Sequence, residues 1–207
     1  PWHYIDPKNP DDHALIDMIK DHQYNLTVAL LDGNVQRAAF EAAWMAHAIT
    51  DGLTPAHHYP LEEKLEELRG GEGLETRLTP KDKILLPGKN RRHQLRNNWE
   101  YWGAKGVMTT HFAFEWGVVT TLTGNRLNAD ELLPIDMQRI ERDGFEALFR
   151  ESLQKIVVLD LYTEFSRAGW TRRLARDTRD ILIPEIIKLV SLAWYECAVN
   201  AGKKEIQ

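Results

Sequence analysis

The stretch "AHAITDGLTPAHH", residues 46–58, carries His47 and Asp51 four positions apart, and His57 follows just beyond Pro55. Residues four apart on a helix project from one face one turn apart, so the pattern His-x3-Asp-x5-His can gather an imidazole, a carboxylate and a second imidazole. A second pair with the same offset, His111 and Glu115, lies in "THFAFEWG" among Phe112, Phe114 and Trp116. A buried carboxylate needs a cation, and two His/carboxylate pairs on two apolar helices are explained more economically by metal binding than by two unrelated ion pairs. Imidazole and carboxylate donors without thiolates suit Zn2+ first, with Mn2+ or Fe2+ as poorer alternatives.

Helices must position these residues. Leu15, Ile16, Ile19, Leu26 and Leu30 predict a first helix over 11–31, closed by Asp32-Gly33. Asn34 can cap a second helix running to about Asp51, with Phe40, Trp44, Met45 and Ile49 on several faces, which predicts a buried helix. Leu61, Leu65 and Leu68 mark a short acidic helix, and the polar stretch that follows makes about 61–98 the expected insertion or lid. A long helix is expected over 91–122, closed by Thr123-Gly124-Asn125. Further helices are expected over 135–142, 145–167 and 170–200, the last kinked or restarted at Pro184. With no alternating strand pattern and no repeat, the fold reads as all-α in a single domain, 1–207.

The 207 residues suffice for a sizeable core, and 43% hydrophobic with 28% charged residues is ordinary globular composition without a membrane-spanning run. A net charge of −5 gives no overall attraction to nucleic acid, so no stable nucleic-acid partner is expected. The single cysteine, Cys197, excludes an internal disulfide and any cysteine-based zinc site. The chain opens at Pro1 without a methionine or a recognisable signal segment, which reads as a mature or truncated form.

His-x3-Asp-x5-His followed by His-x3-Glu resembles the metal signature of the bacterial zinc-dependent phospholipase C family, whose superfamily includes the single-strand-specific zinc nucleases. The opening "WHYIDPKNP", the stretch "DGNVQRAAFEAAWMAHAITDGLTPAHH" and the closing "DTRDILIPEIIKLVSLAWYECAVNAG" are similar to segments of that family. The resemblance runs from His3 to Asn200 apart from about 61–98. It implies a multi-helix bundle of the phospholipase C type, with His57, His111 and Glu115 holding one zinc ion and His3, His47 and Asp51 another. In the family a third metal relies on an N-terminal tryptophan, a histidine and an aspartate upstream of the residue matching His3. Only Pro1 and Trp2 precede His3 here, and Trp2 is read as a packing residue. His13 and His22 are the histidines available as substitutes, although their helix reads as a solvated face. His58 is expected to point away from the site, and His93 sits in a basic run. The resemblance also suggests a secreted or periplasmic protein.

The chemistry implied is hydrolysis of a phosphoester, since zinc held by two histidines and a carboxylate keeps an open position for water and lowers its pKa toward neutrality. The expected substrate is a phospholipid head group or another phosphoester, and the expected activity is phospholipase C-like phosphodiester hydrolysis. The alternatives are a single-strand-specific zinc nuclease and a zinc-stabilised helical domain without catalysis. Glu115 favours the phospholipase, because the nucleases more often carry aspartate there. In "KNRRHQLRNNWEYWGAKG", residues 89–106, Lys89, Arg91, Arg92 and Arg96 precede Trp99, Tyr101 and Trp102. Such a segment can serve a lipid interface or nucleic-acid bases, and the reading adopted is a solvated helix start leading into core aromatics.

Overall fold

The computed structural model describes residues 3–123 and 132–204, so Trp2 and the expected Gly124-Asn125 terminator lie outside the described residues. The protein is all-helical, and no described residue belongs to a strand. Helices α1 (Ala14–Leu31) and α2 (Val35–Leu53) form a hairpin through Asp32, Gly33 and Asn34. Gly33 adopts φ +63, which a side chain would oppose, and Asn34 caps α2 by accepting from the Arg37 N–H at 3.0 Å. A 3-10 turn, Pro55–His58, follows α2 directly.

The middle segment holds α3 (Leu61–Leu68), a 3-10 turn at Leu74–Thr76, and α4 (Pro80–Ile84), started by a capping box between Thr79 and Asp82. The long helix expected over 91–122 is two helices, α5 (Arg91–Trp102) and α6 (Val107–Leu122). The chain breaks at Gly103 and Gly106, where a Cβ would lie 2.4 Å and 2.5 Å from the carbonyl oxygens of Trp99 and Tyr101. Leu65, Leu68, Leu86 and Tyr101 bury together as a satellite cluster that ties this segment to α5.

Helices α7 (Pro134–Asp143), α8 (Phe145–Val157) and α9 (Leu161–Ala168) follow. The helix expected over 145–167 is broken before α9, where Asp160 takes a left-handed conformation at φ 51. After α10 (Arg172–Asp177) one π turn, Thr178–Leu182, leads into α11 (Ile183–Lys204), so the chain restarts a helix beside Pro184. Helix α11 packs on α1, α2, α7 and α8. The main core forms among these helices and α6, from residues such as Ile19, Met45, Ile49, Phe114, Phe149 and Leu189.

One departure concerns α2. Its core face is Ala38, Met45, Ala48, Ile49 and Leu53, whereas Phe40 and Trp44 are 50% and 43% exposed. The helix is amphipathic rather than buried all round, because α1, α8 and α11 pack against this core face.

Candidate metal centre

Four pieces of chain supply the six candidate donors. His47 and Asp51 come from the last turns of α2, His57 from the 3-10 turn, and His111 and Glu115 from α6. His3 arrives on the segment before α1. That segment is pinned by Ile5, whose side chain is fully buried and whose N–H donates to the His57 carbonyl at 3.2 Å. Pro55 redirects the chain after α2, and the His57 N–H donates to the Thr54 carbonyl at 2.9 Å, folding His57 back toward Asp51.

Close packing beneath the centre depends on two glycines. A Cβ on Gly52, beside Asp51, would fall 2.7 Å from Phe149 Cζ and 2.8 Å from Leu15 Cδ2, so α2 contacts α1 and α8 as only glycine allows. A Cβ on Gly117, two positions after Glu115, would lie 2.4 Å from the Trp170 ring.

The six residues assemble as two triads. His3, His47 and Asp51 form one, and His57, His111 and Glu115 the other, with the donor atoms of each lying within 4.8 Å of one another. His3 Nδ1 contacts Asp51 Oδ2, and His47 Nε2 stands 3.3 Å from the same oxygen. His57 Nε2 and His111 Nε2 are each 3.1 Å from Glu115 Oε1, with the two rings 4.8 Å apart and nearly perpendicular. Asp51 joins the triads: its Oδ1 is 3.6 Å from His57 Nε2 while its Oδ2 faces His3 and His47. Hydrogen bonds from His111 and then His57 hold the Glu115 carboxyl down at about 2, despite partial burial, so it is anionic at neutral pH.

Burial differs from the sequence expectation. Asp51 and His111 are buried, His57 is nearly so, and His3 and His47 are exposed, because α2 turns the His47 side toward solvent. Glu115 is 37% exposed rather than enclosed. The donors fit a metal ion: each triad offers two imidazole nitrogens and one carboxylate without a thiolate, and both could hold a divalent cation. His111 Nδ1 is buried without a hydrogen-bond partner among the described residues, so the acceptor that usually orients a ligating imidazole from behind is not among them.

The other histidines lie elsewhere. His22 pairs at 2.5 Å with Glu41, a fully buried carboxylate on α2 that also meets Arg37, and His13 contacts Glu146 and Arg150. His22 is therefore half-buried in a second polar cluster and not on a solvated face. Glu41 escaped the sequence reading because an acidic residue in an Ala-rich helix looks solvated until α1 is placed over it. His58 points away from the triads and donates to the Gly52 carbonyl at 2.9 Å, and burial pushes its pKa down to about 4. His93 accepts from the Lys89 N–H at 3.3 Å.

Beside the triads lies a cavity of about 200 Å³, whose lining includes His3, His57, Tyr4, Tyr59, Tyr101 and Arg77. Leu61, Leu65 and Leu74 of the middle segment complete an apolar side. The Arg77 guanidinium donates to the backbone carbonyls of Asp82 and Lys83, which fix it without cancelling its charge.

Fold and site together define an all-helical protein with two linked His/carboxylate groups able to hold metal ions. No family model matches the chain, and no curated protein or solved structure shows significant similarity to it.

Proposed function

We propose that the protein is a zinc-dependent phosphoester hydrolase of the phospholipase C kind, with one zinc ion held by His57, His111 and Glu115 and another by His3, His47 and Asp51. The observation that carries this reading is the placement of Asp51, whose two oxygens face the two triads and would couple two cations side by side. Two divalent ions against two carboxylates leave a net positive site, suited to an anionic phosphate. Bound there, zinc supplies a Lewis acid and an activated water for attack at phosphorus. The protein's own residues do the rest. The Glu115 carboxylate stays ionised under its imidazole donors, and the adjoining cavity takes one substituent of the phosphoester against Tyr4, Tyr59 and Leu65 while Arg77 adds positive charge.

A structural zinc domain without catalysis fits less well, since structural sites are closed, whereas His3 and His47 are open to solvent. A single-strand-specific nuclease is the second reading, favoured by the tyrosines of the cavity, on which a base could stack.

Elemental mass spectrometry of the purified protein should find two zinc ions per chain. His111→Ala should lose one, and Asp51→Asn should lower occupancy of both and reduce phosphodiester turnover to background. Unchanged metal content in these variants would overturn the assignment. Parallel assays on phospholipid and on single-stranded DNA separate the two catalytic readings.

A further inference from the structure

Helix α5 carries an apolar ridge that faces solvent. Leu95, Trp99 and Trp102 recur at the four- and three-residue spacings that share one helix face, opposite Asn97 and Tyr101, which are buried. Leu95 and Trp99 are each 71% exposed. The sequence expectation of core aromatics thus holds for Tyr101 alone. Helix α4 extends the ridge: the Trp102 indole N–H donates to the Ile84 carbonyl at 2.7 Å, which sets the exposed Ile84 and Leu85 beside it. Contiguous exposed apolar side chains of this kind are uncommon on a free surface and mark an interaction site.

The charge around the ridge has one sign. Between Leu78 and Gly106 there are seven lysines and arginines against two acidic residues, in a chain whose net charge is −5. Glu100 is neutralised by Lys64 at 2.9 Å, and Asp82 is committed to the cap of α4. Arg91 and Arg92 lie on the same side of α5 as the ridge by helical spacing, and Arg96 lies on its flank.

We infer that the α4–α5 face docks the protein on an anionic lipid surface, with Leu95, Trp99 and Ile84 entering the interface and the arginines meeting lipid phosphates. Tryptophan beside aliphatic side chains, flanked by cations, is the composition of an interfacial anchor. The aliphatic share decides between lipid and nucleic acid, because leucine and isoleucine do not stack on bases but do enter hydrocarbon. No helix among the described residues is long and apolar enough to span a bilayer, so the contact is peripheral. The inference stands on this surface and is independent of the metal-site reading.

Co-sedimentation with vesicles of phosphatidylcholine alone, and of phosphatidylcholine with phosphatidylserine, tests it. Wild-type protein should pellet with the anionic vesicles and be released by salt. Arg91→Ala/Arg92→Ala should bind roughly 30-fold more weakly, and Leu95→Ser/Trp99→Ser should lose binding while its thermal melting is unchanged. Asp51→Asn should bind as wild type does, which separates docking from capture at the metal centre. Because wild-type binding and its salt release are read first, the test does not depend on the variants folding. The inference is overturned if wild type stays in the supernatant, if Leu95→Ser/Trp99→Ser binds equally well, or if a single-stranded oligonucleotide strips the protein from the vesicles. It is overturned too if that variant only converts a dimer to a monomer.

Discussion

Asp51 is where residue chemistry decides most. Its neighbours His3, His47 and His57 come from three separate pieces of chain, yet one carboxylate meets them all. Adjacent in sequence, His57 and His58 divide their roles by orientation: His57 turns to Glu115, and His58 turns to the Gly52 carbonyl and is held neutral by burial. For His58 the folded pKa of about 4 lies below the unfolded 6.5, so the unfolded chain binds more protons between these values. Its contribution to stability is therefore complete above 6.5 and is lost as pH falls toward 4. Urea unfolding should show wild type losing about 2 kcal/mol more than His58→Gln between about pH 7 and pH 5. An equal loss in both proteins would show that His58 titrates normally.

At the scale of elements, close helix contact sets the donor positions. Gly52 lets α2 sink against Phe149 of α8 and Leu15 of α1, and the neighbouring Asp51 takes its place from that contact. Gly52→Ala should destabilise the fold by about 1–3 kcal/mol, since neither an aromatic ring nor a leucine already in the core can retreat freely. It should also weaken zinc retention, which denaturant titration and metal analysis of one sample will report together. An alanine variant as stable as wild type would mean that α8 shifts without strain.

For the whole molecule, the triads lie where the N-terminal segment, α2, the 3-10 turn and α6 converge, so metal should bind the folded chain and not the unfolded one. Chelation should then lower stability by about 2.7 kcal/mol per site relative to metal at 100 times Kd, a fall in Tm of roughly 5–10 °C per site. Scanning calorimetry with and without chelator measures this, and an unchanged Tm would argue that the triads are ordinary ion pairs.

Helix periodicity and side-chain projection are local properties, so the all-α class, the end of α1, the cap of α2 and the two four-residue His/carboxylate offsets were readable from the sequence, whereas α1 begins at Ala14 and not at the expected Asp11. His57 and the two His/carboxylate pairs were legible as candidates by residue type and spacing, and His3 only through the family resemblance. That they meet as two triads joined through Asp51 follows from the tertiary structure, in which Ile5 pins the N-terminal segment to the His57 carbonyl. Exposure was likewise not local: Trp44 and Trp99 read as core by type, yet both are exposed, although the His22 ring of α1 stacks near Trp44. The buried Glu41 and the breaks at Gly103 and Asp160 were hidden for the same reason, as each is set by what another part of the chain places against it or leaves open.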